Sequence, residues 1–171
     1  MKISSLTDIG NTREMNQDYL YSSEESVGKL PNLFLVADGM GGHKAGEFAS
    51  RYVVEHIVRS IKGSKEEEAV GILSESIETA NRKLKEYADA HQQMRGMGTT
   101  IVAAVIQGRT LLVANVGDSR LYIVGDEITL GKHRIIRWYR RWCVWDRWIR
   151  RVQRIIRIKI SLPGQWGCPK R

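Results

Sequence analysis

Hydrophobic and polar positions in the first third of the chain follow two different periods. Residues 1–9 and 18–23 alternate, which predicts two short strands. The continuous apolar run at residues 33–37 predicts a strand buried on both faces. Apolar positions spaced by three and four then predict a helix over about residues 45–62.

A second helix and a return to strands are predicted next. Ser64 and Glu67 stand at the spacing of a capping box before another helical stripe. Short apolar runs at residues 99–106, 110–116 and 121–124 predict three consecutive strands. Strands, two helices and a meander together predict an α+β fold with helices packed on a mostly antiparallel sheet.

The charge of the 171-residue chain, +8 overall, divides sharply near residue 130. Residues 1–129 carry 14 Lys and Arg against 18 Asp and Glu, whereas residues 130–171 carry 13 against 1. All five Trp and both Cys also fall in the second region. We therefore treat residues 1–129 as one domain and residues 130–171 as a separate basic tail.

Composition excludes several classes of protein. No uncharged apolar run reaches the roughly 18 residues of a membrane span, and the first residues lack the apolar stretch of a secretory signal. The two cysteines, Cys143 and Cys168, have no metal-ligand or disulfide-framework spacing. We expect a cytoplasmic protein without a membrane span.

Arg13 and Asp18 form the first candidate for chemistry. The guanidinium of an arginine matches two phosphate oxygens at once. A carboxylate five residues later, on an adjoining strand, could hold a cation near that phosphate. A turn with solvated charges is the alternative.

Asp38 and Gly39 form the second candidate, at the end of the predicted buried strand. Gly39 allows a close backbone approach, so its carbonyl could join the Asp38 carboxylate in binding a hard cation. The alternative is a glycine turn in which Asp38 caps the next helix. Neither the dinucleotide fingerprint nor the Walker spacing is present.

Two further glycine-containing segments lie later in the chain. We interpret residues 96–100 as a strand entry where small residues allow close packing. Residues 115–120 repeat the order of a buried strand followed by an aspartate, Asp118, which could reach the same edge of the sheet. A tight turn with its own local hydrogen bonds is the alternative there.

Taken together and in this order, these segments closely resemble the bacterial metal-dependent Ser/Thr protein phosphatases of the phosphatase 2C type. The resemblance covers about residues 1–129, the N-terminal half of a family catalytic domain. Its motifs are Gly10-x-x-Arg13-x-x-Asn16-Gln17-Asp18, Val36-Ala37-Asp38-Gly39-Met40-Gly41-Gly42-His43, Gly98-Thr99-Thr100 and Asn115-Val116-Gly117-Asp118-Ser119-Arg120.

The resemblance implies a fold and an activity. The fold is part of an antiparallel β-sandwich flanked by helices, and the activity is hydrolysis of phosphoserine and phosphothreonine on proteins. Two or three Mn²⁺ or Mg²⁺ ions would be the cofactors. The implied partners are phosphorylated proteins, with a Ser/Thr kinase acting in opposition and no nucleic acid.

The resemblance also implies roles for individual residues. Asp38 would bridge two metal ions, Gly39 would bind one of them through its carbonyl, and Asp18 would hold metal-bound waters. Asp118 would help to bind a third metal ion. Arg13 would bind the substrate phosphate, and His43 is a candidate general acid. Hard oxygen ligands suit Mg²⁺ and Mn²⁺.

The basic tail departs from the family pattern. A family domain continues with two more metal-binding aspartates, yet Asp146 is the only acid in the tail. We favour a shift of the reading frame near residue 130. The alternative is a basic amphipathic helix, with one face formed by Trp138, Trp142, Trp145, Ile149, Val152 and Ile156.

The incomplete metal site leaves the activity of this chain open. We predict a protein Ser/Thr phosphatase by ancestry. One alternative is a non-catalytic fragment that binds phosphoproteins through Arg13. Another is a membrane or nucleic-acid binder that acts through the basic tail.

Overall fold

The computed structural model describes residues 2–41 and 45–122, and the backbone alone of residues 43–44 and 156–159. One antiparallel sheet has the strand order β1-β2-β4-β5-β6, and β3 pairs with the end of β2. The strands are β1 (Asp18–Ser23), β2 (Leu33–Met40), β3 (Gly98–Thr99), β4 (Ile101–Gln107), β5 (Thr110–Val116) and β6 (Ile156–Lys159). The predicted antiparallel sheet is confirmed within these residues.

Two helices cover the sheet in sequence. Helix α1 (His43–Gly63) packs against β1 and β2, and α2 (Ala69–Ala90) packs against α1. A 3₁₀ turn, Gln92–Met94, follows α2. The core between helices and sheet consists of buried aliphatic side chains that include Leu33, Leu35, Ala37, Ala49, Val53, Ile57, Ile61, Ile72, Leu73, Ala80, Ala103 and Val105. Both predicted helices and their apolar stripes are confirmed.

Strand β2 differs from its prediction in length and burial. Leu35 and Ala37 are buried, but Val36 between them is 52% exposed, so the prediction of burial on both faces is wrong. In the described part of the chain the helices cover only one face, and alternate side chains of β2 point away from them. The strand also continues to Met40, because its last residues pair with β3. Asp38 therefore lies within a strand rather than in a turn.

The start of α2 differs as well. The helix begins at Ala69, and no capping box forms between Ser64 and Glu67. The Ser64 hydroxyl instead accepts a hydrogen bond from the Glu66 N–H, and the Glu66 carboxylate accepts from the N–H groups of Glu67 and Glu68. Glu66 thus accepts from two amides just before the helix, and the N-cap residue, Glu68, makes no side-chain capping hydrogen bond.

Two predicted strands are not formed as expected. Residues 2–9 contain no strand and are mostly exposed, so the first prediction is wrong. Leu121 and Tyr122 are likewise outside any strand, while residues 123–124 lie outside the described part of the chain. A strand persists only where a neighbour completes its hydrogen bonds, and none of the strands in the described part of the chain pairs with these residues.

The basic tail contributes one strand to the sheet. Strand β6 pairs antiparallel with β5, so the helical interpretation of the tail is wrong at Ile156. The five other positions of the proposed helical face lie outside the described residues. The domain boundary at residue 129 stays a prediction. Of the helices in the described ranges, none combines the length and apolar character needed to cross a bilayer.

Candidate functional site

Two carboxylates face each other across the first two strands of the sheet. Asp18 begins β1 and lies directly opposite Asp38 of β2 in the antiparallel register. Side chains in such positions come within about 5 Å of each other. Both residues are exposed, and the Asp18 carboxylate lies close enough to raise the pKa of the Asp38 carboxyl group. Strand register thus brings together two of the predicted site residues.

The electrostatics of Asp38 involve two more of the predicted residues. Burial raises the pKa of the Asp38 carboxyl group, and the nearby carboxylates of Asp18 and Asp118 raise it further. The Arg13 guanidinium acts against them by lowering that pKa. Burial is the largest cause of this shift, and two neighbouring carboxylates against one guanidinium leave an excess of negative charge around Asp38. A cation bound among these groups would relieve that excess.

Asp118 reaches this edge of the sheet from the turn after β5. Gly117, next to it, has a φ of 107°, a conformation that other residues rarely adopt. Its backbone packs against Thr100, where a β-carbon on Gly117 would lie 2.7 Å from the Thr100 methyl group. On the other side, the Asn115 amide donates a 2.8 Å hydrogen bond to the Ser119 carbonyl. Contacts on both flanks therefore hold the turn that carries Asp118.

Arg13 lies in the exposed segment before β1. Its Nη1 donates a 2.7 Å hydrogen bond to Oε1 of Gln17, four residues later. In the same segment the Asn16 side chain accepts from the Asp18 N–H and donates to the Thr7 hydroxyl. Side-chain hydrogen bonds thus organise a segment that has no regular secondary structure.

Gly39 lies where β2 meets the first turns of α1. A β-carbon at this position would fall 2.0 Å from the Gly46 carbonyl oxygen, so only glycine fits. The Gly39 N–H donates to the Gln17 carbonyl at 3.0 Å, which ties β2 to the segment before β1. The close backbone approach expected at Gly39 is therefore made to α1, and the role of its carbonyl as a metal ligand stays a prediction.

The remaining predicted residue is His43, and the remaining predicted feature is a metal-binding group. His43 begins α1, but its side chain lies outside the described part of the chain. Among the residues whose side chains are described, no three His, Cys, Asp or Glu side chains lie close enough together to form a metal-binding group. The site therefore consists of the Asp18 and Asp38 carboxylates, with the Asp118 carboxylate near enough to raise the pKa of Asp38. It fits Mg²⁺ or Mn²⁺, since Mg²⁺ is often held by one or two carboxylates with water and phosphate completing its shell.

Sequence reasoning missed a hydroxyl group at this site. We interpreted Gly96–Thr100 as a packing element, and Gly98 does contact the Met40 side chain. Thr100, however, also forms hydrogen bonds with the Asp38 backbone and the Ser119 hydroxyl. The signal in the sequence was the Gly98-Thr99-Thr100 motif, which contributed to the family resemblance but indicated no partner for the Thr100 hydroxyl. The role of the Gln17 side chain was missed in the same way, although Gln17 is itself a residue of the first motif.

Known proteins are similar to this chain over most of its length. Residues 11–132 match the family model described as protein phosphatase 2C. The serine/threonine phosphatase stp of Listeria innocua is 37% identical over 130 residues, which cover 71% of this chain and 49% of that protein. The chain thus spans about half the length of the curated relatives it matches.

Solved structures are similar over about 70% of the chain. The serine/threonine phosphatase Stp1 of Staphylococcus aureus matches with a TM-score of 0.61 and 34% identity, covering 70% of this chain and 48% of that one. The catalytic domain of the phosphatase PstP, solved with two manganese ions, matches with a TM-score of 0.59 and 30% identity over 70% of this chain and 49% of that one.

Proposed function

The chain belongs to the protein phosphatase 2C family, and on that premise we propose that it provides the metal- and phosphate-binding half of a protein Ser/Thr phosphatase site. The reaction is hydrolysis of phosphoserine and phosphothreonine on proteins. The observation that carries the proposal is the Asp18–Asp38 pair, placed in register and electrostatically coupled to Arg13 and Asp118.

A divalent cation fits this donor set. Carboxylate oxygens are hard ligands, and the pKa of Asp38 is raised by burial and by the negative charge of Asp18 and Asp118, which a cation would balance. When bound, Mn²⁺ or Mg²⁺ activates water and neutralises charge on the phosphoryl group. We assign Asp38, the Gly39 carbonyl, Asp18 and Asp118 to holding the metal ions directly or through water.

Arg13 is the residue we assign to the phosphate. Its guanidinium lies within electrostatic reach of Asp38 and is oriented by Gln17. A planar fork of N–H donors can bind two phosphate oxygens and offset charge that develops on them during attack. We include His43, at the start of α1, as the proton donor to the leaving hydroxyl. The proposal also keeps the cytoplasmic location and the opposing Ser/Thr kinase, which rest on the sequence and its resemblance alone.

The test is hydrolysis of a phosphothreonine peptide by the full chain with and without Mn²⁺. We expect phosphate release that requires Mn²⁺ and falls by at least about 100-fold in Asp38→Asn, because that substitution removes a charged ligand. Asp89→Asn, at an exposed position of α2, is the matched control and should keep wild-type activity. Equal activity of Asp38→Asn and the wild type would contradict the proposal.

A second candidate is phosphopeptide binding without turnover. It is favoured by the absence of a three-residue metal-binding group among the described side chains, whereas Arg13 and Gln17 are in place. In that case the phosphothreonine peptide binds but is not cleaved, and Arg13→Ala removes binding. The same peptide therefore separates the two functions.

A further inference from the structure

Thr100 contacts both of the segments that carry the central carboxylates. It lies between β3 and β4 and is only 3% exposed. We propose that Thr100 is a positioning residue, whose hydroxyl fixes the Asp38 strand and the Asp118 turn relative to each other. The inference deepens the proposed function and rests on it for its consequence in metal binding.

The first half of the connection is made to the Asp38 backbone. The Asp38 N–H donates to the Thr100 Oγ1 at 3.1 Å, and the Thr100 N–H donates to the Asp38 carbonyl at 2.8 Å. The neighbouring Thr99 hydroxyl donates to the same carbonyl at 3.0 Å. The peptide units on both sides of Asp38 are thus tied to residues 99–100, which restrains the base of its side chain.

The second half is made to the turn of Asp118. The hydroxyl groups of Thr100 and Ser119 lie 2.7 Å apart, within hydrogen-bond distance. The Thr100 methyl group packs against Gly117, so the residues before and after Asp118 both contact Thr100. Thr100 accepts a hydrogen bond from Asp38 with the same oxygen that pairs with Ser119. One atom therefore joins the two carboxylate-bearing segments.

Substitutions can separate the effect of the Thr100 hydroxyl group from that of the rest of its side chain. Thr100→Val keeps the shape and the methyl contact with Gly117, but it leaves the Asp38 N–H without its acceptor and breaks the link to Ser119. Thr100→Ser keeps both hydrogen bonds and loses the methyl group. Ser119→Ala breaks only the link between the two segments and, at a partly exposed position, carries less risk to folding.

The first measurement is amide hydrogen exchange of the full chain without metal. In Thr100→Val we expect at least tenfold faster exchange at the Asp38 amide and faster exchange across residues 117–119. Ser119→Ala should affect residues 117–119 alone, and Thr100→Ser should restore the wild-type rates. Thr110→Val, at the other end of the β4–β5 hairpin, is the matched control and should change neither site.

The second measurement is the dissociation constant for Mn²⁺ by titration calorimetry, on samples shown to be folded by circular dichroism. We expect about tenfold weaker binding in Thr100→Val and Ser119→Ala, the usual loss when a group that orients a metal ligand is removed. Thr100→Ser should bind as the wild type does. A merely structural role predicts lower thermal stability with Mn²⁺ affinity unchanged.

The outcomes separate this inference from the proposed function. Unchanged exchange at Asp38 and residues 117–119 in Thr100→Val overturns the inference, and so does faster exchange with wild-type Mn²⁺ affinity. If the wild type itself binds no Mn²⁺, the proposed function fails, while exchange still reports on the link through Thr100. If Thr100→Val does not fold, Ser119→Ala decides the question by the same two measurements.

Discussion

Strand β2 has a polar residue near each end, and the surroundings of these two residues differ. Asn32, just before the strand, is buried and forms two 2.7 Å hydrogen bonds with the backbone N–H and C=O of Ile106. Asp38, near the other end, faces the like-charged Asp18 directly across the sheet. One polar side chain completes the hydrogen bonding of the fold, and the other increases the electrostatic repulsion within it.

The difference indicates which end of the strand serves the fold and which serves a ligand. A buried amide that satisfies a strand backbone contributes stability and requires no ligand. Opposed carboxylates destabilise a sheet, and perturbed groups of this kind cluster at functional sites. Stability and metal affinity should therefore respond separately to substitutions at the two ends.

The largest expected effect is on the packing behind the carboxylate end. Gly39→Ala places a methyl group 2.0 Å from the Gly46 carbonyl oxygen, so β2 or α1 must move. We expect a loss of about 3 kcal/mol in the free energy of unfolding, the upper range for overpacking. Urea denaturation measures it. Gly63→Ala, at the end of α1 with open space around it, is the control and should have little effect. Wild-type stability in Gly39→Ala would show that the contact between β2 and α1 is looser than described.

The next effect concerns the opposite end of the strand. Asn32→Leu leaves the backbone N–H and C=O of Ile106 without their side-chain partners in a buried position. We expect a loss of about 2 kcal/mol in unfolding free energy, because unsatisfied buried groups carry their full desolvation cost. Mn²⁺ affinity of the folded fraction should not change. A large loss of Mn²⁺ affinity in this variant would remove the distinction between the two ends.

Replacing Asp38 should increase stability, by less than the two previous substitutions decrease it. Its pKa is raised in the folded chain, so the native state binds the proton more tightly than the unfolded state does. Stability without metal should therefore fall as the pH increases from about 3.8 through the raised pKa. Asp38→Asn should lack this fall and be more stable at neutral pH by less than about 1 kcal/mol, since solvent screens an exposed charge.

The measurement is thermal unfolding across pH, with and without Mn²⁺. Metal should raise the melting temperature of the wild type and leave that of Asp38→Asn nearly unchanged. A wild-type chain whose stability increases through the same pH range would indicate that Asp38 is stabilised by its partners and does not repel them.

Sequence patterns predicted the elements of this fold better than the contacts of its site. Helical spacing over 45–62 and the apolar runs at 99–106 and 110–116 are decided by burial against neighbours, and the helix and both strands are confirmed, with β4 at Ile101–Gln107. The proximity of Asp18 and Asp38 depends on strand register, which no local pattern records. Thr100 and Gln17 act through hydrogen bonds whose partners become known only once the strands are placed.

The smallest effect tests how Arg13 is held at the carboxylate end. Gln17→Met keeps a side chain of similar length beside Gly46 but removes the acceptor that orients the Arg13 guanidinium. An exposed hydrogen bond of this kind contributes about 0.5–1 kcal/mol, so phosphothreonine-peptide affinity should fall by about two- to fivefold with Mn²⁺ affinity nearly constant.

Fluorescence polarisation measures the affinity for the peptide, and calorimetry measures the affinity for Mn²⁺. Gln107→Met, at the far end of β4, is the matched control and should bind as the wild type does. Equal peptide affinity in the two variants would show that Arg13 does not depend on Gln17 for its orientation, and that the phosphate position is fixed by Arg13 and the metal ions alone.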